Sequence, residues 1–460
     1  MRPHHDDGLP MNANPLRLPW GRDEISLAFP PDWEVVGVLS PRQQAPVPDV
    51  AAEVRRALAG CVGSARLREL ARAGARVAIV IDDGSRPTPV ALLLPALLEE
   101  LELAGVARSD ITLVTALGLH RPMSGEEVAR RIGEGLVPTI RWINHDCDNA
   151  AQLVSLGTTR RGTPVVINRT VAEADLVVSV GCIEPHIIAG FGGGYKNLVP
   201  GVAGRVTVGR NHALNCAPAT FAMTGRPVEE NPMRQDFEEA AAMLRPPVFI
   251  VNAILNGGLE VVRIVAGDPI AAHREGARIS AGLNAVPIPG PADLVITNSH
   301  PMDQDFRQGM KALANAIHAV RRGGVLLTLV RAEEGLGVME MARSGLPVGP
   351  GILRLLAPAL LPLVRRMPLR GMGEEERFFL YFTLHALRRV KLLMYAPTIS
   401  TEIRANLPFV EFAHGVEGAI ARAGSLARPR PRVLVFPHGG VTYPVLDGGA
   451  EGQRGRVAYL

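Results

Sequence analysis

Between Glu184 and His212 the chain reads EPHIIAGFGGGYKNLVPGVAGRVTVGRNH, which places two imidazoles, three consecutive glycines and an amine in one short segment. Gly192, Gly193 and Gly194 let a backbone approach a ligand closely, Lys196 supplies the amine at the end of that loop, and His186 and His212 bracket it. Such a set suits an anionic or metal-bearing cofactor, and it also fits a phosphate loop beside two unrelated histidines. No Walker-type phosphate loop is present. A Rossmann fingerprint is also a poor fit, because GFGGG follows PHIIA instead of leaving a strand directly.

The elements that must position these groups alternate in type. ARVAIVIDD (75–83) predicts a buried strand leading into GSRPTP, with Thr88 as N-cap and Pro89 at the first position of an apolar helix. ITLVTALG ends at His120, and Ser124 with Glu127 forms a capping box that opens the next helix. ADLVVSVG (174–181) predicts another strand, followed by the segment that carries His186. Arg86, His120 and His186 therefore all follow strand ends, where ligands sit in open α/β sheets.

This succession predicts an α/β fold with largely parallel sheets. A Pro-rich stretch, AVPIPGPAD (285–293), precedes a second unit of ADLVITN, a helix through QGMKALANAIHAV, and GGVLLTLV. The expected organisation is a disordered leader at 1–15, an N-terminal cofactor-binding α/β domain at 16–284, and a C-terminal α/β domain at 290–430. The tail, 431–460, contains two short strands in VLVFPHGGVTYPVL and is expected to return to the N-terminal domain.

A chain of 460 residues, 47% hydrophobic and 20% charged, can bury more than one core. Its net charge of +4 comes from dispersed basic residues and calls for neither nucleic acid nor a membrane surface. Cys61, Cys147, Cys182 and Cys216 lie far apart, which argues against a disulfide framework or a thiolate zinc site and fits a reducing cytoplasm. No secretion signal is evident, and the most apolar run, ILRLLAPALLPLV, is short and broken by Pro358 and Pro362.

The segment from His186 to His212 resembles the nickel-dependent lactate racemase family, in which a histidine, a Gly-rich loop, a lysine and a second histidine occur in this order and spacing. IDDGSRPTP resembles the family's DD-x-Ser/Thr-R-P-T element, ALGLHRPMSGEE its G-x-H-R-P element, and DQDFRQGMKAL its second-domain helix. The resemblance implies two α/β domains with the active site in the cleft between them. It also implies a nickel-pincer nucleotide, pyridinium-3-thioamide-5-thiocarboxylic acid mononucleotide, joined to Lys196, with His212 completing the coordination of Ni(II). Imidazole and a planar pincer suit the square-planar geometry of that ion. Enzymes of cofactor biosynthesis would supply the pincer.

In the function so implied, His120 and His186 are the paired acid–base groups that racemise or epimerise a small 2-hydroxy acid. One takes the hydroxyl proton while the Cα hydride passes to the pincer, giving a 2-keto acid to which the hydride returns on either face. Arg86, Gln308 and Lys311 are substrate-side groups, the last two sharing one helical face, while Asp83 is grouped with Lys196, Gly192, Gly193 and Gly194 on the cofactor side and steers one histidine or Arg86. Closure of the cleft would keep water from the keto acid. His145, His300 and His438 are read as structural or as supporting the residues that line the site, outside the catalytic set. Two other readings fit parts of the chain: a nicotinamide-dependent hydroxy-acid oxidoreductase, and a pincer-cofactor binding protein without catalysis.

One departure from the family concerns the substrate. The lactate enzymes carry a tryptophan over the substrate in the second domain, whereas Trp20, Trp33 and Trp142 all fall in the first domain as read here, leaving Phe378, Phe379 or Tyr381 to replace it. Arg307, beside Gln308, stands where those enzymes place an aromatic, and its planar fork matches a second carboxylate or several hydroxyls. A substrate larger or more polar than lactate is expected, such as a 2-hydroxy dicarboxylate or a sugar acid.

Overall fold

The computed structural model describes residues 15–337, 350–367, 372–407 and 409–446, and the chain divides into two compact units. The expected leader, apart from Pro15, and the tail beyond Leu446 lie outside the described residues.

The larger unit comprises Arg42–Ala285 and Val364–Tyr381. Its six-stranded sheet has the spatial order Val261–Gly267, Val248–Leu255, Leu176–Cys182, Val77–Asp82, Ile111–Ala116, Arg141–Asn144. All neighbours are parallel except the edge pair Val261–Gly267 and Val248–Leu255. The runs VAIVID and LVVSVGC are buried along their whole length, as a parallel sheet covered on both faces requires. The helix Val90–Leu103 sets Leu93, Leu94, Leu97 and Leu101 into the same core as Ile79, Ile81 and Leu113. Each such side chain contributes about 1.5–3 kcal/mol of burial.

From Val77–Asp82 the sheet grows one way to Ile111–Ala116 and Arg141–Asn144, and the chain then returns to lay Leu176–Cys182 on the opposite side. This reversal makes a topological switch point, and the loops that leave Asp82, Ala116 and Cys182 emerge at the same carboxyl edge.

The smaller unit is built from described parts of 15–41, 286–363 and 382–446. Its sheet, parallel throughout, has the order Glu411–Phe412, Lys391–Tyr395, Val320–Leu329, Ala292–Asn298, Arg432–Phe436, Glu34–Val38. An antiparallel hairpin, Leu16–Trp20 with Asp23–Leu27, sends Leu18, Ile25 and Leu27 into the core of this sheet beside Leu294, Ile296, Val433 and Val435. Two domain assignments are thereby corrected. Residues 15–41 belong with the second sheet, and the tail strand Arg432–Phe436 pairs there with Ala292–Asn298 instead of returning to the first domain. The cause is strand pairing between segments some four hundred residues apart, which periodicity cannot register.

Local chemistry differs at one cap. Ser124 and Glu127 form the expected capping box, but Thr88 does not cap its helix; its hydroxyl donates to Asp82 Oδ2 at 2.5 Å. Among the described residues no helix is long and apolar enough to cross a membrane.

Candidate active site

Asp83 is the first residue past the Val77–Asp82 strand, and its Oδ2 lies 2.5 Å from Nδ1 of His120, in the loop between the Ile111–Ala116 strand and the helix Gly125–Ile132. Ser85 Oγ donates to the other carboxylate oxygen at 2.6 Å. Burial alone would raise the Asp83 carboxyl, yet His120, Arg86 and Ser85 together hold it well below the usual carboxylate range. An ionised Asp83 fixes the proton of neutral His120 on Nδ1 and leaves the Nε2 lone pair as a base, a tautomer assigned from this contact.

His186 has the opposite setting. It sits in a short hairpin, Pro185–His186 against Gly190–Phe191, and its Nδ1 accepts the backbone N–H groups of Ile188 (3.4 Å) and Ala189 (3.2 Å). With Nδ1 engaged as acceptor, neutral His186 carries its proton on Nε2. The ring is thus arranged as a hydrogen-bond donor in its resting form.

Arg86 is half-buried; its Nη1 is buried, lies 3.6 Å from Glu184 Oε1 and has no hydrogen-bond partner. Neighbouring Glu184 and Asp83 raise its pKa against the effect of burial. Glu184 Oε2 also accepts from Cys182 Sγ at 3.2 Å. The turn carrying Asp83 and Arg86 is held from behind by Arg131, whose guanidinium pairs with Asp82 and donates to Arg86 O at 2.9 Å.

The three glycines are required by the protein's own packing. A Cβ on Gly192 would strike the Glu184 carboxylate, one on Gly193 would lie 2.7 Å from Asn252 Oδ1, and one on Gly194 2.9 Å from His273; Gly193 and Gly194 also have φ of +69° and +62°. The loop is pinned by Gly194 N–H donating to Asn252 Oδ1 (2.8 Å) and by His273 Nε2 bonding Gly192 O (2.8 Å). Lys196 follows, half-buried, in a short 3-10 turn, Gly194–Asn197.

His212, half-buried, is near the end of the helix Arg205–Ala213. Its neighbour Asn211, fully buried, donates to Asp236 Oδ2 (2.8 Å), which also accepts from Thr163 Oγ1 at 2.8 Å, so the helix is anchored one residue before the imidazole. Among the described residues the one cluster of three metal-ligating side chains is Asp146, Cys147 and Asp148, which contains no histidine. Among the described residues His212 belongs to no such three-ligand cluster, and its imidazole is a suitable ligand for nickel alongside donors from a bound group. Arg86 Nη1, a buried cationic nitrogen without a hydrogen-bond partner, suits an anionic group.

Sequence reasoning missed Glu184, Arg131, Asn252, His273 and Arg234. Arg234, fully buried in the helix Pro232–Ala241, bonds Ala189 O at 3.1 Å and Phe191 O, bracing the hairpin of His186. The signal for Glu184 was its place two residues before His186; the others lie too far along the chain to advertise themselves.

Arg307, Gln308 and Lys311, expected from the sequence to be substrate-side groups, belong to the smaller unit, on the helix Phe306–Ala316, whose N-cap Asp305 accepts from Gln308 N–H at 2.7 Å. Gln308 and Lys311 are buried. The tryptophan argument needs correction: Trp20 and Trp33 lie in the smaller unit, Trp20 stacked on Tyr395 at 5.9 Å between centroids, whereas the segment with Phe378, Phe379 and Tyr381 groups with the larger.

Comparison with known proteins follows these motifs. The lactate racemase N-terminal domain matches residues 20–222. The lactate racemase of Thermoanaerobacterium thermosaccharolyticum is 31% identical over 432 residues, 92% of this chain and 97% of that protein. The lactate racemase of Lactiplantibacillus plantarum is 33% identical over 286 residues, 62% of this chain and 66% of its own. Among solved structures, the lactate racemase apoprotein from T. thermosaccharolyticum gives a TM-score of 0.80 at 26% identity, covering 94% of this chain and 99% of that one. A Thermotoga maritima protein, 16% identical with a TM-score of 0.64, shares the fold over 86% of this chain and 97% of its own.

Proposed function

Because this chain belongs to the lactate racemase family, we propose that it is an isomerase that inverts the configuration at C2 of a small 2-hydroxy acid. The observation that carries this reading is the Asp83–His120 pair beside the spare nitrogen of Arg86, at the switch point of the larger sheet. It is a carboxylate-backed base next to a cation suited to a substrate carboxylate.

The C2–H proton of a 2-hydroxy acid is barely acidic, so direct deprotonation would be slow. Oxidation to the planar 2-keto acid followed by reduction avoids the carbanion. A nickel-pincer nucleotide, joined to Lys196 and with its Ni(II) on His212, would supply the hydride acceptor and donor when bound. His120 takes the hydroxyl proton through Nε2, and Asp83 stabilises the imidazolium so formed. His186 serves the other enantiomer, first as a donor to the substrate oxygen from Nε2–H and, after its Nδ1 contacts yield, as acid or base. Arg86 binds the substrate carboxylate, and the family resemblance supports Gln308, Lys311 and Arg307 as further substrate-side groups, with Arg307 contributing to selection of the side chain.

The test is protein produced together with the enzymes that build the pincer. It should carry nickel and a mass raised by the attached nucleotide, and should interconvert the configurations of a 2-hydroxy acid without consuming NAD. Consumption of free NAD, or an unmodified mass in an active preparation, would sink the proposal.

A further inference from the structure

The hairpin that carries His186 is held through its backbone carbonyls by two side chains of one element, the helix Pro232–Ala241 with its N-cap Asn231. Asn231 Nδ2 donates to Ile188 O at 2.9 Å, Arg234 Nε donates to Ala189 O at 3.1 Å, and Arg234 Nη2 donates to Phe191 O. Both side chains are fully buried. The orientation of the Asn231 amide follows from its second contact: Oδ1 accepts the Arg234 backbone N–H at 3.1 Å, which turns Nδ2 toward the hairpin.

The contact at Ile188 O reaches the imidazole through a single peptide. The carbonyl of Ile188 and the N–H of Ala189 belong to the same planar amide, and that N–H donates to His186 Nδ1 at 3.2 Å. A donor on the carbonyl oxygen polarises the amide and strengthens donation from its N–H. Nδ1 is thereby kept an acceptor, and the neutral ring carries its proton on Nε2. Capping the helix needs only the Oδ1 side of Asn231, and serine supplies a cap equally well, so the amide nitrogen is the part that capping leaves unexplained. Arg234 stays a cation at neutral pH: burial takes its pKa down to about 10, while Glu238, 3.5 Å from Nη1, works to raise it. Its planar fork reaches the carbonyls on either side of Gly190, a geometry that a single ammonium nitrogen does not reproduce.

We propose that Asn231 and Arg234 are positioning residues for His186, Asn231 fixing the tautomer of the ring through the Ile188–Ala189 peptide and Arg234 fixing the hairpin that carries it. The assignment rests on the function proposed above, in which His186 exchanges a proton with the substrate hydroxyl. Neither side chain has to touch the substrate. In the other tautomer Nδ1 would carry the proton and face two N–H groups, so the ring reaches it only when the peptide turns away. Proton transfer depends steeply on the placement of donor and acceptor, and a ring released from these contacts loses rate more than affinity.

The test separates capping from positioning. Asn231→Ser keeps an N-cap oxygen and deletes the donor to Ile188 O, and Arg234→Lys keeps the charge and loses the fork. In cofactor-loaded enzyme each should lower kcat about tenfold or more, with a smaller effect on KM. The second readout is NMR of the full chain labelled at its histidine ring nitrogens, with His186 assigned by the signal lost in His186→Gln. The wild-type ring should show a protonated Nε2 and a bare Nδ1, and Asn231→Ser should raise the share of the Nδ1–H form. Wild-type kcat with an unmoved His186 signal, in variants that retain the wild-type melting temperature, would overturn the assignment, as would a fall in kcat without change at the ring nitrogens. If both variants misfold, the wild-type ring decides: a proton on Nε2 supports the proposal and one on Nδ1 contradicts it. Failure of the wild type to invert any 2-hydroxy acid, with the His186 signal still displaced in Asn231→Ser, would overturn the proposed reaction and leave the positioning standing.

Discussion

The Asp83 carboxylate sits 2.5 Å from His120 Nδ1, whereas Nδ1 of His186 faces the backbone N–H groups of Ile188 and Ala189. The two histidines therefore rest as different tautomers, one with a free Nε2 lone pair and one with an Nε2–H. Asp83 gives His120 a carboxylate that stabilises its charged form.

Replacing Asp83 by Asn keeps the shape but removes the charge, and kcat should fall on the order of 10²-fold or more, the scale of a general acid–base contribution. The sign of the pH effect on stability is fixed. Because the folded pKa of Asp83 is depressed, its stabilisation is present above the unfolded value of about 3.9 and is lost only as pH falls through the lower folded value. The difference in melting temperature between wild type and Asp83→Asn should be flat from about pH 5 to 8 as far as this group is concerned and shrink below about pH 4. A difference that vanishes near neutrality would show that the carboxylate is not held as described.

His120→Ala and His186→Ala should each lower racemisation by about 10² or more. For two enantiomers the equilibrium constant is one, so kcat/KM must fall equally in the two directions. Their inequivalence should appear instead in the separate kcat and KM values for each enantiomer. Wild-type rates in either variant would remove that histidine from the mechanism.

Arg131 closes a buried pair with Asp82 and supports the turn of Asp83 and Arg86. Arg131→Met should strand a buried carboxylate and cost about 3–5 kcal/mol, read as a lowered urea midpoint. An unchanged midpoint would mean that the pair contributes nothing to the fold.

Much of this was legible beforehand because the chemistry lies at strand ends. Buried β-branched runs predict Val77–Asp82 and Leu176–Cys182, and the residues after them are the ones that meet ligands in such sheets. Illegible were the partners supplied from a distance: Asp82 is matched by Arg131, Gly194 by Asn252, and the Glu34–Val38 strand by Arg432–Phe436. Hydrophobic pattern states that a segment is buried, not what it is buried against. Thr88 shows the same limit at short range, since a buried carboxylate six residues back outcompetes the helix cap.

Attachment gives a separate prediction. Lys196→Ala should carry no covalent nucleotide by intact mass, and His212→Ala should lose nickel more than nucleotide by metal analysis. A full added mass on Lys196→Ala would mean that this amine is not the point of attachment.

The central claim is inversion through a keto acid with internal hydride return. Its most direct test is one enantiomer of a 2-hydroxy acid deuterated at C2, incubated with the cofactor-loaded enzyme in ordinary water and followed by chiral separation with mass detection. The account predicts that the inverted product keeps its deuterium, because the hydride never becomes a solvent-exchangeable proton. Product that has inverted and carries hydrogen from water at C2 would contradict it and point to proton abstraction.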